Sequence, residues 1–341
     1  MKKKLLSVTL LLAMTASVFA GCGKEADNSE KKEYKVGIVK FVDDASLDQI
    51  EGAIQKELDE KGKELGVTFN YQDYSENGQA DGTVLNQIAT NLVNDEVDVI
   101  VPIATPAAVV MQSATEENEI PVVFSAVSDP EVCNLVASME KPGANVTGTS
   151  DGLDTDAVME LITTANPNIK KLGLLYNKSE DSSTKPIAQA KEFCDAKGIS
   201  YVEKTGTTNA EIAAAADALV AAGVEAVFTP TDNTVMTAEL SIFEKFTQAK
   251  IPHYAGADSF ALNGAFVGYG VNYSELGKAT ADMVVEILVN EKEPANYPVE
   301  CLDNGIITIN EETAEAVGIA TTVFDDLGKE VKTTKTQEAF E

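Results

Sequence analysis

From Tyr34 onward the chain alternates short apolar, β-branched runs with longer stretches in which apolar positions recur every three or four residues. YKVGIV (34–39), VTFNYQD (67–73), VDVIVPI (97–103) and IPVVFSA (120–126) predict strands, and the intervals at about 46–65, 81–93 and 105–117 predict helices. Apolar strands without polar alternation indicate a sheet covered on both faces, as parallel sheets are. After PGANVTGTS (142–150) the pattern restarts. Strands are predicted at 171–177, 199–204, 224–230 and 251–257, with helices at about 154–165, 184–197, 209–222 and 233–249. AFVGYGVN (265–272), a long helix at 273–290 and GIITIN (305–310) remain for the two blocks to share. Two such blocks predict an α/β chain of two similar, doubly wound lobes with parallel sheets. The polar stretch 321–341 is expected to be a frayed tail.

The region before Tyr34 follows a different logic. Lys2, Lys3 and Lys4 precede an apolar run from Leu5, and small residues lead into Cys22. That order describes an export signal. Ala20-Gly21-Cys22 resembles the lipobox of bacterial lipoproteins, with Cys22 as the lipidated residue and 1–21 as the signal. An ordinary secretory signal is the alternative, since Phe19 stands where the box usually has Leu. Residues 22–33 are charged and read as a disordered tether. The expected location is outside the cytoplasm, anchored to the outer face of the cell membrane.

Composition narrows the chemistry. The 341 residues carry a net charge of −29, and removing 1–21 deletes three lysines and no acids. Such a field disfavours nucleic acid and favours a soluble monomer. All 26 basic residues are lysine, so a carboxylate or phosphate ligand must be held without a guanidinium fork. Helix-start N–H groups, hydroxyls and lysine are what remain. Cys133, Cys194 and Cys301 have no metal or disulfide spacing and read as small buried hydrophobes. His253 is the only histidine and has no nearby nucleophile in sequence. No metal set, cofactor motif or nucleophile elbow is present, so an enzyme is not expected.

KVGIVKFVDDASLDQIEGA, ATPAAVVMQSAT, IPVVFSAVSDP, KPGANVTGTSD, GLLYNKSEDSS, PTDNTV and VGYGVNYSELGKATADMVVEIL occur in that order between about residues 34 and 318. Their sequence and spacing resemble the tryptophan- and tyrosine-type substrate-binding proteins of ABC importers. The resemblance implies a type I periplasmic-binding-protein fold, with two Rossmann-like lobes joined by three crossings and a ligand closed between them. It places the crossings near Val146–Thr149, near Asp258–Gly268 and near Asn296–Cys301. The lobes would then span 34–147 plus 266–294, and 149–258 plus 300–320. It implies an amino acid ligand, aromatic or large and apolar, and ABC permease subunits as partners. A nucleoside, a sugar or another small solute is the alternative ligand, and a ligand-sensing role beside a membrane receptor is the alternative task.

In open α/β sheets ligands lie outside the carboxyl ends of the strands. Ala104-Thr105-Pro106 follows one such end and opens a helix, with Thr105 expected as N-cap and the helix start as the seat of an α-carboxylate. Ser128 can donate to a ligand oxygen, while Asp129 serves equally well in the turn before Pro130. Asp232 is expected to accept from a ligand ammonium, with capping of its own helix as the alternative, and Asn233 can both donate and accept. Asn177, Asp258 as a lock on the closed form, Tyr269 as cleft floor and Phe41 as a stacking ring complete the candidates.

Overall fold

A computed structural model describes residues 32–302 and 305–337. Cys22, the signal and most of the tether lie outside the described residues. β1 (Glu33–Lys40) leads into α1 (Ala45–Leu65), β2 (Thr68–Asn70), β3 (Ser75–Asn77), α2 (Gly82–Asn94), β4 (Val99–Ile103), α3 (Thr105–Thr115), β5 (Val122–Phe124) and β6 (Val146–Ser150). The expected strand at 67–73 is two short ones. β2 pairs with the first half of β1 and β3 with the second, and a turn closed by the Tyr74 N–H on the Tyr71 carbonyl at 3.0 Å separates them.

The chain then builds a second layer from α4 (Thr155–Ala165), β7 (Lys171–Tyr176), α5 (Asp181–Lys197), β8 (Ser200–Thr205), α6 (Asn209–Ala222), β9 (Ala226–Thr229) and α7 (Asn233–Gln248). β10 (His253–Ala255), α8 (Asp258–Leu262) and β11 (Val267–Gly270) complete it. α9 (Tyr273–Val289) returns to the first lobe and β12 (Glu300–Cys301) pairs with β6. β13 (Ile306–Asn310), α10 (Glu311–Val317) and β14 (Glu330–Thr334) finish the second lobe.

The sheet orders are β12-β6-β5-β4-β1-β2, with β3 also on β1, and β14-β13-β11-β10-β9-β7-β8. β1, β2, β4, β5 and β6 therefore repeat the layout of β7, β8, β9, β10 and β11. Each sheet reverses direction of growth between its first strand and the one beside it, so the switch points lie at β1/β4 and β7/β9. Among the described strands β11–β13 is the antiparallel pairing, so β13 and β14 run opposite to the rest of their sheet.

Three sequence expectations change. The second crossing lies at residues 271–272, because β11 pairs with β10 and β13 and so stays in the second sheet. Residues 300–301 stay with the first sheet through the pairing of β12 with β6. The stretch after Thr321 is folded through Gln337: a 3-10 segment (Thr321–Leu327) buries Phe324, and β14 pairs along all five residues of β13. One apolar ring in a polar stretch anchors it.

The packing that sets the cleft is dense. On α1, Leu47, Ile50, Ile54 and Leu58 recur at helical spacing and are buried. Each contributes roughly 1.5–3 kcal/mol by leaving water. α9 lies so close to α1 that a Cβ at Gly277 would stand 2.5 Å from the Ile50 carbonyl oxygen. This contact ties the second segment of the first lobe to the helix whose start faces the second lobe. Of the cysteines, Cys194 is buried, Cys133 is half-buried and Cys301 is exposed on β12.

Candidate functional site

The strand ends of both sheets converge on a small cavity lined by Thr105, Ser128, Asp151, Ser182, Asn233 and Tyr273, with Leu47, Ala126, Met236 and Ala257 as apolar wall. Its open volume is about 20 Å³, room for little more than one water. A groove of about 200 Å³ at the mouth is lined by Thr105, Pro106, Ser182 and the 179–181 turn. Thr105 and Ser182 belong to both spaces.

The first-lobe wall carries backbone strain. Ala104 has φ 79° and Ala126 has φ 55°, both in the left-handed region that side chains disfavour. Strain of this kind costs about 1–3 kcal/mol and clusters where geometry serves a ligand. Ala104 is the N-cap of α3 and no side chain caps that helix. Thr105 is thus the first helical residue rather than the cap. The first intrahelical bond runs from the Ala108 N–H to the Ala104 carbonyl at 3.1 Å, so the N–H groups of Thr105 and Ala107 precede the ladder. An uncapped helix start at a cavity is a seat for an anion.

Asp151 is the acid at this cavity that the sequence did not single out. It is 5% exposed and accepts one side-chain bond, from Ser128 Oγ at 3.0 Å. Burial pushes its carboxyl up to about 6, against the pull of the Ser128 hydroxyl and of its own backbone N–H. A buried carboxylate with a single side-chain donor retains the capacity to take a cation.

Asp232 is placed differently from its expected role. It is 0% exposed and does not line the cavity. One oxygen accepts from the Val235 N–H at 2.9 Å, and the other from the Asn177 N–H at 2.7 Å and the Ser183 hydroxyl at 2.6 Å. Burial and then the neighbouring Glu180 charge push its carboxyl up, while these three donors pull it down. The alternative of a helix cap is what the geometry supports. Asn177 is consumed in the same lattice: its amide donates to Thr234 Oγ1 at 2.9 Å and its Oδ1 accepts from the Ser179 N–H.

Ala104, Thr105, Ser128 and Asn233 are thus brought together at the cavity, and Asp232, Asn177, Tyr269 and Phe41 are not. Tyr269 packs in the second-lobe core with its hydroxyl on Lys329 Nζ at 2.9 Å. Phe41 packs partly buried against the first-lobe core. His253 is internal, between Glu239 and Thr229 at 2.9 and 2.8 Å.

Asp258 is a contact between lobes. It accepts from Ser46 Oγ at 2.6 Å and Gln49 Nε2 at 3.2 Å, both on α1. The Ser259 N–H adds a bond to Ser46 Oγ at 3.3 Å. Asp44, the N-cap of α1, lies beneath this contact with one oxygen on the Ser46 N–H and the other without a partner. Burial, reinforced by the Asp258 charge, pushes Asp44 up to about 7. At the mouth, Lys185 of α5 pairs with Asp129 of the first lobe at 3.2 Å.

The sequence pattern of the family described as ABC transporter substrate binding protein matches residues 35–333. The chain belongs to that family. This ABC transporter substrate-binding protein is 32% identical over 336 residues to the tyrosine-binding protein of Clostridioides difficile (strain R20291), with 95% of each chain covered. It is similar to a domain from Streptococcus pneumonia solved in complex with L-Trp, at 31% identity and TM-score 0.79 over 88% of this chain and 100% of that one. It is also similar to a ligand-free, open substrate-binding protein with adhesive properties from Clostridium difficile, at 32% identity and TM-score 0.67 over 89% of this chain and 100% of that one. At near-equal identity the fit is better to the liganded structure than to the open one. The bonds of Asp258 and Lys185 join the two lobes across the cleft. Its fold is that of type I periplasmic binding proteins. Members of the family bind solutes outside the cytoplasm for an ABC transporter rather than transforming them, so the substrate-binding protein is not an enzyme.

Proposed function

We propose that this substrate-binding protein captures a single aromatic or large apolar amino acid for an ABC importer, as a monomer anchored to the membrane through lipidated Cys22. The observation that carries the ligand class is the pairing, in one cavity, of a sparsely bonded buried carboxylate with an uncapped helix start. Asp151 takes the α-ammonium with help from Ser128, and the first turn of α3 with Thr105 takes the α-carboxylate. Leu47, Met236 and Tyr273 receive the side chain. The ligands named for the two relatives, tyrosine and L-Trp, support the same class. A cavity of about 20 Å³ does not admit such a molecule as it stands, so the lobes must part for entry and settle around the ligand farther apart than they lie here.

Isothermal calorimetry on the chain lacking residues 1–22, against the common amino acids, a nucleoside and a sugar, tests this. One-to-one binding of tyrosine, tryptophan or another large apolar amino acid is expected. Binding of only the nucleoside or the sugar removes the ligand assignment.

A further inference from the structure

The first turn of α5 has lost the cap that its sequence position provides for. Glu180 is the N-cap residue, yet its side chain makes no bond to α5. Its carboxylate is turned to the start of α7, where it accepts from the Asn233 N–H at 2.8 Å, Asn233 Nδ2 at 3.0 Å, the Thr234 N–H at 2.7 Å and Thr234 Oγ1 at 2.6 Å. The N–H groups of Asp181 and Ser182 are left ahead of the helix ladder.

A second observation stands independently of the helix start. Ser182 is 3% exposed, and its buried hydroxyl has no hydrogen-bond partner among the described residues. It lines both the cavity and the mouth groove, as Thr105 does from the opposite lobe. The next residue, Ser183, shows that such hydroxyls are satisfied here when the fold requires it, since it donates to Asp232 at 2.6 Å. A buried donor without an acceptor costs about 1–3 kcal/mol, and a ligand oxygen in the cavity would offset it.

We propose that Ser182 and the first turn of α5 form the second-lobe half of a carboxylate seat whose first-lobe half is Thr105 and the first turn of α3. This rests on the amino acid reading above. Closing the lobes brings two uncapped helix starts, each carrying roughly half a positive charge, to opposite sides of one space. A carboxylate between them turns that repulsion into attraction, so the anionic end of the ligand ties the lobes together. The carboxylates nearby are Glu180, held by four donors of α7, Asp181, exposed at the lip of the groove, and Asp151, which lines the same cavity and is paired in this reading with the ligand's ammonium.

The test is calorimetry of wild type and Ser182→Ala with L-tyrosine and L-tryptophan, each against its own primary amide, which keeps the ammonium and the ring but not the carboxylate charge. Wild type is expected to prefer the acid to the amide, and Ser182→Ala to reduce that preference about tenfold without lowering the melting temperature. An unchanged preference in a variant that still binds the acid overturns the seat alone. An equal loss for acid and amide also overturns it, since the hydroxyl then serves the pocket rather than the carboxylate. Wild type that binds no amino acid overturns the amino acid reading and the seat with it; if another large apolar amino acid is the one that binds, that acid and its primary amide are compared in place of these two.

Discussion

α3 and α7 hold equivalent places, each following the strand that borders the switch point of its sheet, but their first turns have opposite fates. α3 begins at a strained alanine with no side-chain cap and opens on the cavity. α7 begins at Asp232, which caps it, and is covered further by four bonds to Glu180. The same contrast runs the other way between α1, capped by Asp44, and α5, which has no side-chain cap. Among these four helices each lobe thus offers one closed and one open start, and the two open ones meet at the cavity through Thr105 and Ser182. A polar residue at a strand end marks a site only when its bonding capacity is unspent.

The largest effect is expected from the acid that still has capacity. Asp151→Asn should weaken an amino acid ligand by roughly a hundredfold, the range for breaking a buried charge pair, with little change in thermal stability. Calorimetry and a melting curve read both. Asp232→Ala should do the reverse. Losing the cap and leaving the Asn177 N–H and Ser183 hydroxyl unpaired should cost about 2–4 kcal/mol of stability in denaturant unfolding, while the folded fraction binds within about threefold of wild type. If Asp232→Ala abolishes binding in a stably folded protein, the contrast between the two helix starts fails.

Asp258→Ala should come next. Removing two bonds between α1 and α8 weakens the closed form, and affinity should fall about tenfold, with the free protein shifted to a larger radius in solution scattering.

The smallest effect is one of pH. Asp151 must be ionised to hold an ammonium, so affinity should decline as pH falls below about 6. Asp44 acts in the opposite sense. Its carboxyl in the fold lies above its unfolded value, so the stability it contributes is full below about pH 4 and is lost as pH rises through about 7. Because the Asp258 charge shares in that shift across the cleft, alkaline pH should favour the open arrangement. Affinity measured from pH 5 to 8 should therefore be highest between about 6 and 7, and Asp44→Asn should flatten the alkaline side.

Much of this architecture was legible in the chain because parallel strands buried on both faces write themselves as apolar runs, and Thr105-Pro106 announced a helix start. What escaped detection depended on pairing at a distance. Whether Asp232 is spent or free is decided by Asn177 and Ser183, some 50 residues away, and local chemistry at Pro230–Asn233 reads the same in both cases. Asp151 followed VTGTS in a segment read as a crossing, and its signal was an acid directly after a buried run with no lysine nearby. β14 was missed because its residues are polar and its strand is held by β13 and by Phe324. The crossing at 271–272 was misplaced because the antiparallel partner of β11 lies almost 40 residues further on.

The most direct test is a crystal structure of the protein grown with L-tyrosine or L-tryptophan. The ammonium is expected within hydrogen-bond distance of Asp151 and Ser128, and the carboxylate between Thr105 and Ser182, with Asp232 still bound to Asn177 and Ser183. An ammonium seated on Asp232, with those two bonds broken, would contradict the account.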